Sequence, residues 1–204
     1  MDIRIRQTGK PIILILIGFL LFTCTGQTAT AGSLKLKKNS IEIGYGRFTI
    51  GDSRYKDVFK TGREIYSIEY SRSLFTIGRN NLGAIGGIRY FRKTGLATFT
   101  LEKTYLTLLP ISLGGRYILD LGYFLPWIDL GMDIMIYRES SPIKKTLGFT
   151  IGPFVQAGLS VRIPYFEAFK IRASVRHSYV KARREGISVN LGGFEYSIGL
   201  AFGF

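Results

Sequence analysis

The sequence predicts an all-β chain whose eight strands close into one antiparallel barrel. Three observations predict it. Hydropathy alternates with period 2 in segment after segment, while no sustained period of 3.6 occurs. Gly is abundant (25) and Pro scarce (6), and Tyr and Phe supply 12 and 15 residues, a composition suited to pleated, half-buried strands and close backbone approach. At 204 residues and 46% hydrophobic content the chain can bury a sizeable core, excludes disorder, and has a length that β-barrels often use as one domain.

The first 31 residues stand apart. Arg4, Arg6 and Lys10 precede the apolar run Ile12 to Phe22, and small and polar residues then lead to Ala29-Thr30-Ala31. This is the pattern of a secretory signal peptide cleaved before Gly32. The run is too short for a membrane anchor, which needs roughly 20 apolar residues. Cys24 lacks the small residues that lipoprotein processing wants before it, since Phe22 and Thr23 stand there. Cleavage leaves +12 of the formal +14 on 173 residues and removes Cys24, the only cysteine, so no disulfide or thiol chemistry is expected of residues 32–204.

The strands follow in order. The first, about 40 to 49, sets Ile41, Ile43 and Tyr45 on one face and Glu42 on the other. The second, 63 to 73, sets Tyr66, Ile68 and Tyr70 against Glu69, and the third, 82 to 92, sets Ala84, Ile88 and Tyr90 against Arg89. The fourth, 97 to 117, carries Tyr105, Leu109, Ile111, Leu113 and Tyr117 opposite Arg116. In the fifth, 127 to 139, Ile128 to Ile136 alternate with Asp129 and Asp133. The sixth, 147 to 163, is the cleanest: Phe149, Ile151, Val155, Leu159, Val161 and Ile163 face away from Gln156, Ser160 and Arg162. The seventh, 168 to 181, opposes Phe169, Ile171, Ala173 and Val175 to Lys170, Arg172 and Arg176. The eighth, 187 to 204, alternates Phe194 to Phe204 with Glu195, Ser197, Gly199, Ala201 and Gly203. Its earlier apolar residues, Ile187, Val189 and Leu191, have the opposite parity, so a β-bulge is expected at Gly192-Gly193.

Alternation does not say which face is inside. Strands of ten or more residues are long enough to cross a bilayer at a tilt. The aromatics Tyr66, Tyr70, Tyr90, Tyr105, Tyr117, Trp127, Tyr137 and Tyr179 lie towards segment ends, as interfacial girdles do. Both features favour apolar residues facing lipid and charges facing the lumen. Closure would leave no sheet edge in hydrocarbon, where an unsatisfied backbone group costs several kcal/mol. With the first strand rising from the periplasm, connectors near 50 to 62, 93 to 96, 140 to 146 and 182 to 186 share one end, and those near 74 to 81, 118 to 126 and 164 to 167 share the other.

The segment Ser197-Ile198-Gly199-Leu200-Ala201-Phe202-Gly203-Phe204 resembles the carboxy-terminal β-signal of the small eight-stranded outer-membrane β-barrel family of Gram-negative-type bacteria. The resemblance implies a closed transmembrane barrel in the bacterial outer membrane. It also implies that Ser197, Gly199, Phe202 and Phe204 are read by the barrel-assembly machinery during insertion.

The inward charges Glu42, Glu69, Arg89, Arg116, Asp129, Asp133, Arg172 and Arg176 are expected to pair into a network that plugs the lumen, because enclosed charges persist when paired and hydrogen-bonded. Lining a narrow channel or a ligand path is the alternative. Asp129 and Asp133, about 13 Å apart by strand rise, neither share a proton nor clasp one metal. His177, the only histidine, precludes a histidine metal cage. Outer-membrane lipid A deacylases place a serine two residues after the histidine; here Ser178 is adjacent, so the two side chains point to opposite faces. No catalytic residue, metal or cofactor is expected, although a lipid A-modifying enzyme remains a second alternative. Lys56, Lys60, Arg92, Lys93, Lys144, Lys145, Arg183 and Arg184 fall at one predicted end and are assigned as contacts to lipopolysaccharide phosphates. The expected partners are therefore outer-membrane lipid and lipopolysaccharide. No nucleic acid is among them, and the chain is expected to be a monomer.

Overall fold

The computed structural model describes residues 36–52, 58–59, 62–96, 103–140, 145–184 and 187–204. The segment read as a signal peptide lies outside them. Eight strands form the barrel: β1 (Asn39–Ile50), β2 (Arg63–Ile77), β3 (Asn80–Leu96), β4 (Lys103–Leu119), β5 (Phe124–Ser140), β6 (Lys145–Ile163), β7 (Phe166–Ser178) and β10 (Gly193–Gly203). Two short strands, β8 (Lys181–Arg184) and β9 (Ile187–Asn190), pair only with each other. The barrel order is β1-β10-β7-β6-β5-β4-β3-β2, antiparallel throughout, and β1 closes on β10 from Ser40↔Gly203 to Ile50↔Gly193.

The ends differ. At the turn end the links are Gly78-Arg79, residues 120–123 and Pro164-Tyr165, and the backbones of Asn39 and Phe204 exchange hydrogen bonds of 3.0 and 2.9 Å. Longer connections, including β8–β9, gather at the loop end. Gly122 takes φ 83° and Gly78 φ 61°, which suits them to tight turns; Tyr165 does the same at φ 70° without glycine's freedom.

The apolar faces assigned to the strands above face outward, two girdle aromatics excepted. Ile43, Ile68, Leu113, Leu130, Phe149 and Ile198 are each at least 60% exposed, so a continuous apolar belt surrounds the barrel. Two of the expected girdle aromatics are not part of it. Trp127 has the parity of Asp129 and is buried inside, and Tyr137 packs against an interior apolar cluster.

The expected eighth strand is also corrected. It is not one strand with a bulge: β9 ends at Asn190, Leu191-Gly192 belongs to no strand although the Gly192 carbonyl accepts from Gly51 N–H (2.7 Å), and β10 begins at Gly193. The seventh stops at Ser178 where 181 was expected. The phase change is real, but it marks a hairpin folding off the wall. A Cβ on Gly192 would stand 2.3 Å from the Ser178 carbonyl oxygen, and one on Gly193 only 1.9 Å from that of Thr49, so this crossing of backbones admits glycine alone. The Asn190 side-chain oxygen secures the return by accepting from the N–H groups of Val180 (3.0 Å) and Gly192 (3.1 Å). Bulges occur elsewhere, at Ser73/Phe75 and Arg162/Ile163.

Candidate functional site

The lumen is the part of the molecule where polar chemistry concentrates. All eight residues assigned to it face inward, and they are linked. Near mid-barrel, Arg89 donates to Ser112 Oγ (2.8 Å), Glu69 Oε2 (3.1 Å) and Gln156 Oε1 (2.9 Å), with Glu195 Oε2 3.4 Å from its Nε. Arg176 donates to Gln156 Oε1 (3.0 Å), Ser112 Oγ (3.0 Å) and Asp133. One level towards the turn end, Arg116 grips Asp129 with Nε (2.7 Å) and Nη2 (2.6 Å) and also reaches Glu69. Arg172 pairs with Glu42 and lies 3.5 Å from Glu69 Oε1. Glu69 therefore joins the two levels, touching Arg89, Arg116 and Arg172. Bidentate and charge-assisted bonds of this kind are the strong ones, and each carboxylate here has at least one guanidinium.

The sequence reading passed over part of this network. Ser112 and Gln156 are neutral, yet each accepts from both Arg89 and Arg176. Their inward parity was the available signal. Asp120, in a turn, accepts from Arg162 at 2.7 Å while Arg162 also donates to the Gly122 carbonyl at 2.7 Å, locking the β4–β5 turn to the wall of β6. Arg89, Arg116, Arg162, Lys170, Arg172 and Arg176 are thus matched by Glu42, Glu69, Asp120, Asp129, Asp133 and Glu195 in number.

Aromatics complete the packing through glycine. On β5 and β6, Trp127 faces Gly158, Phe154 faces Gly131, and Tyr137 faces Gly148 in register. A Cβ at these glycines would stand within 3 Å of the facing ring in each case, so the ring lies flat across a strand that has no side chain there. Arginines cover two of the rings: Arg172 lies 3.9 Å and Arg116 4.7 Å from the Trp127 centroid, and Arg176 3.6 Å from that of Phe154.

Towards the loop end the same inward face turns apolar. Phe48, Ile65, Phe91, Leu106, Leu108 and Met135 are all buried, and Val180, Ala182 and Leu191 from the β8–β9 excursion and Phe59 from the β1–β2 connection pack onto them. Tyr179 N–H donates to the Pro153 carbonyl (2.9 Å) and Thr150 Oγ1 to that of Lys181 (2.6 Å), pinning the excursion to β6. An apolar cap therefore sits over the ionic network.

The remaining assigned residues are placed as follows. Ser197 faces inward, 2.8 Å from Ser174 Oγ; Gly199 pairs with Gly44 and Arg172; Phe202 faces outward against Phe169 (5.1 Å) and Phe204 (6.1 Å). Arg92, Lys93, Lys145 and Arg183 lie at the loop end, with Arg92 5.5 Å over the Tyr105 ring. Arg184 ends β8; Lys56, Lys60 and Lys144 lie outside the described residues. His177 faces outward with its ring tilted against Phe194 at 4.5 Å, whereas Ser178 is buried and accepts from Gly193 N–H at 3.3 Å, so the two do not meet. Among the described residues no acidic, histidine or cysteine cluster could hold a metal.

Solved structures share this architecture. The outer membrane protein OprG of Pseudomonas aeruginosa superposes with a TM-score of 0.56 at 12% identity, over 83% of this chain and 97% of its own. The fold is that of a small outer-membrane β-barrel. Neisserial surface protein A matches with a TM-score of 0.53 at 18% identity, over 81% of this chain and 97% of its own. Ail of Yersinia pestis, solved with the heparin analogue sucrose octasulfate, matches with a TM-score of 0.53 at 17% identity, over 82% of this chain and 100% of its own. No protein-family model and no curated sequence matches the chain.

Proposed function

We propose that the protein is an integral barrel of a Gram-negative-type outer membrane, non-enzymatic, with a closed lumen and a structural, envelope-stability or surface-interaction role. The observation that carries this reading is the pairing of an apolar belt outside with a doubly filled interior. Belt side chains such as Ile43 (66% exposed) and Ile198 (63%) would be unfavourable in water and suit lipid. Inside, Phe91, Leu106 and Asp129 are 1%, 0% and 0% exposed, a filling at both levels that supports a closed lumen.

In this reading residues 1–31 direct export and are removed, and residues 32–204 are the barrel. The turn end faces the periplasm, and Ser197, Gly199, Phe202 and Phe204 present the last strand to the assembly machinery. The loop end faces outward, where Arg92, Lys93, Lys145 and Arg183, with Arg184 and with Lys56, Lys60 and Lys144 as assigned from the sequence, meet lipopolysaccharide phosphates. Lys181, 5.1 Å over the Tyr179 ring, and Arg63 belong to the same fringe.

Cell fractionation with gel mobility before and after boiling tests the membrane assignment. Recovery in the outer membrane with a heat-dependent mobility shift is expected; a soluble periplasmic protein without the shift would overturn it. Planar-bilayer recording tests the closed lumen, for which no unitary conductance is expected. Steady single-channel steps would instead establish the channel alternative. An altered lipid A mass spectrum on expression, lost in His177→Ala, would establish the enzyme alternative.

A further inference from the structure

A cavity of about 40 Å³ opens at the turn end, between the Leu36–Ser40 segment and the ionic network. It is roughly three times the space one buried water needs. Its lining is one-sided: the cations Lys37, Lys38, Arg116, Lys170 and Arg172 contribute, and among the described residues no carboxylate does. Arg116 and Arg172 are engaged by Asp129, Glu69 and Glu42 on their far side. Lys170, only 8% exposed, forms no ion pair among the described residues. Two buried N–H donors on lining residues, Arg172 Nε and Trp127 Nε1, have no acceptor. Both residues are 4% exposed. Donors so buried are normally satisfied, and leaving one unmade costs the full desolvation of the group. The rim is held in place, because Ser73 N–H donates to the Lys38 carbonyl at 2.8 Å and the Lys37 side chain packs over Gly203.

We propose that this vestibule is a binding site for a small oxyanion, a phosphate or carboxylate group. Lys170 is its inner donor, beside the Arg116 and Arg172 guanidinium groups, and Lys37 and Lys38 are its rim. An oxyanion supplies what the lining lacks: acceptor lone pairs, and negative charge among cations gathered in a poorly solvated recess. Phosphate binds more tightly than acetate because it brings more charge and more acceptors. The site lies at the opposite end from the lipopolysaccharide contacts proposed above and does not depend on them.

Trp127 is the only tryptophan in the chain, so its fluorescence reports the site directly. The protein is placed in zwitterionic nanodiscs, which leave both ends open, and titrated with inorganic phosphate, acetate or chloride at fixed ionic strength. A saturable change with phosphate, weaker with acetate and absent with chloride, is expected. If anionic phosphatidylglycerol in the disc produces the change without added phosphate, the group is a lipid headgroup; otherwise it is a free one. Lys170→Gln should weaken binding about tenfold, the order of one charge-assisted hydrogen bond. Lys38→Gln, on the exposed rim, should weaken it less while leaving heat-dependent gel mobility intact, and Arg92→Gln at the loop end should change nothing. A response that is non-saturable, equal with chloride, or unaltered by both lysine substitutions overturns the proposal.

Discussion

Along one inward face of the same strands the lumen changes chemistry between its two halves. β1 presents Glu42 towards the turn end and Phe48 towards the loop end; β2 presents Glu69 and then Ile65; β3, Arg89 and then Phe91; β5, Asp129 and Asp133 and then Met135. The lower half is held chiefly by paired charges, and the upper half by packing. Both halves are filled with side chains, but they fail differently when cut. Removing one member of an ion network strands its partner in a dry site, whereas removing a packed side chain leaves a void.

The largest break is expected in the charged half. Arg116→Met removes the guanidinium shared by Asp129 and Glu69, leaves two buried carboxylates under-compensated, and should cost about 3–5 kcal/mol in urea unfolding from lipid vesicles. Adding Asp129→Leu removes the stranded partner and should return a large part of that loss. If the double variant is no better than the single one, the matched charges do not act as a network.

The apolar half should answer next. Leu106→Ala, at a position with no exposure, is expected to cost about 2–5 kcal/mol, because transfer energy is lost and a cavity is left. Leu113→Ala on the belt deletes the same atoms, but lipid closes over the gap, so its cost should be smaller. Equal losses in the same unfolding assay would mean that the cap is not close-packed.

These two halves were unequally legible in the sequence. Charges at Glu42, Glu69, Arg89, Arg116, Asp129, Asp133, Arg172 and Arg176 stand out against apolar neighbours, so period-2 parity gathers them on one face, which strand length and the aromatic strand ends then assign to the lumen. The cap erases that contrast. Around Leu106 to Pro110 both faces are apolar, since Leu106 and Leu108 face the lumen and Leu109 the belt, and alternation no longer says which side is which. Trp127 and Tyr137 were misassigned because an aromatic near a strand end suits a girdle. Their true signal was pairwise: each faces a glycine, Gly158 or Gly148, on the neighbouring strand. The β8–β9 hairpin was hidden because a parity change at Gly192-Gly193 reads identically for a bulge and for an excursion. Only the three-dimensional crossing with Ser178 and Thr49 distinguishes them.

The seam between cap and wall gives a smaller effect. A Cβ on Gly152 would stand 2.1 Å from the Tyr179 carbonyl oxygen, where the chain leaves β7 for the hairpin. Gly152→Ala should therefore push residues 179–180 off β6 at a cost of about 1–3 kcal/mol. Hydrogen exchange should show the loss at the Tyr179 and Leu191 amides, which bond Pro153 and Val180 across this seam, with the Arg116–Asp129 level still protected. Uniform loss of protection through both levels would show that the two halves open together.

The turn end offers the smallest change, and of opposite sign. Pro164 and Tyr165 form the two-residue link from β6 to β7, and Tyr165 holds φ 70° with its side chain 99% exposed. A left-handed conformation costs an L-residue roughly 1–2 kcal/mol, which glycine avoids, while glycine's greater freedom in the unfolded chain costs about 0.5–1 kcal/mol. Because the ring makes no packing contribution to either half of the lumen, Tyr165→Gly should stabilise the barrel by at most about 1 kcal/mol. A measurable loss in the same unfolding experiment would show that this ring, free of the protein, is held by lipid at the interface.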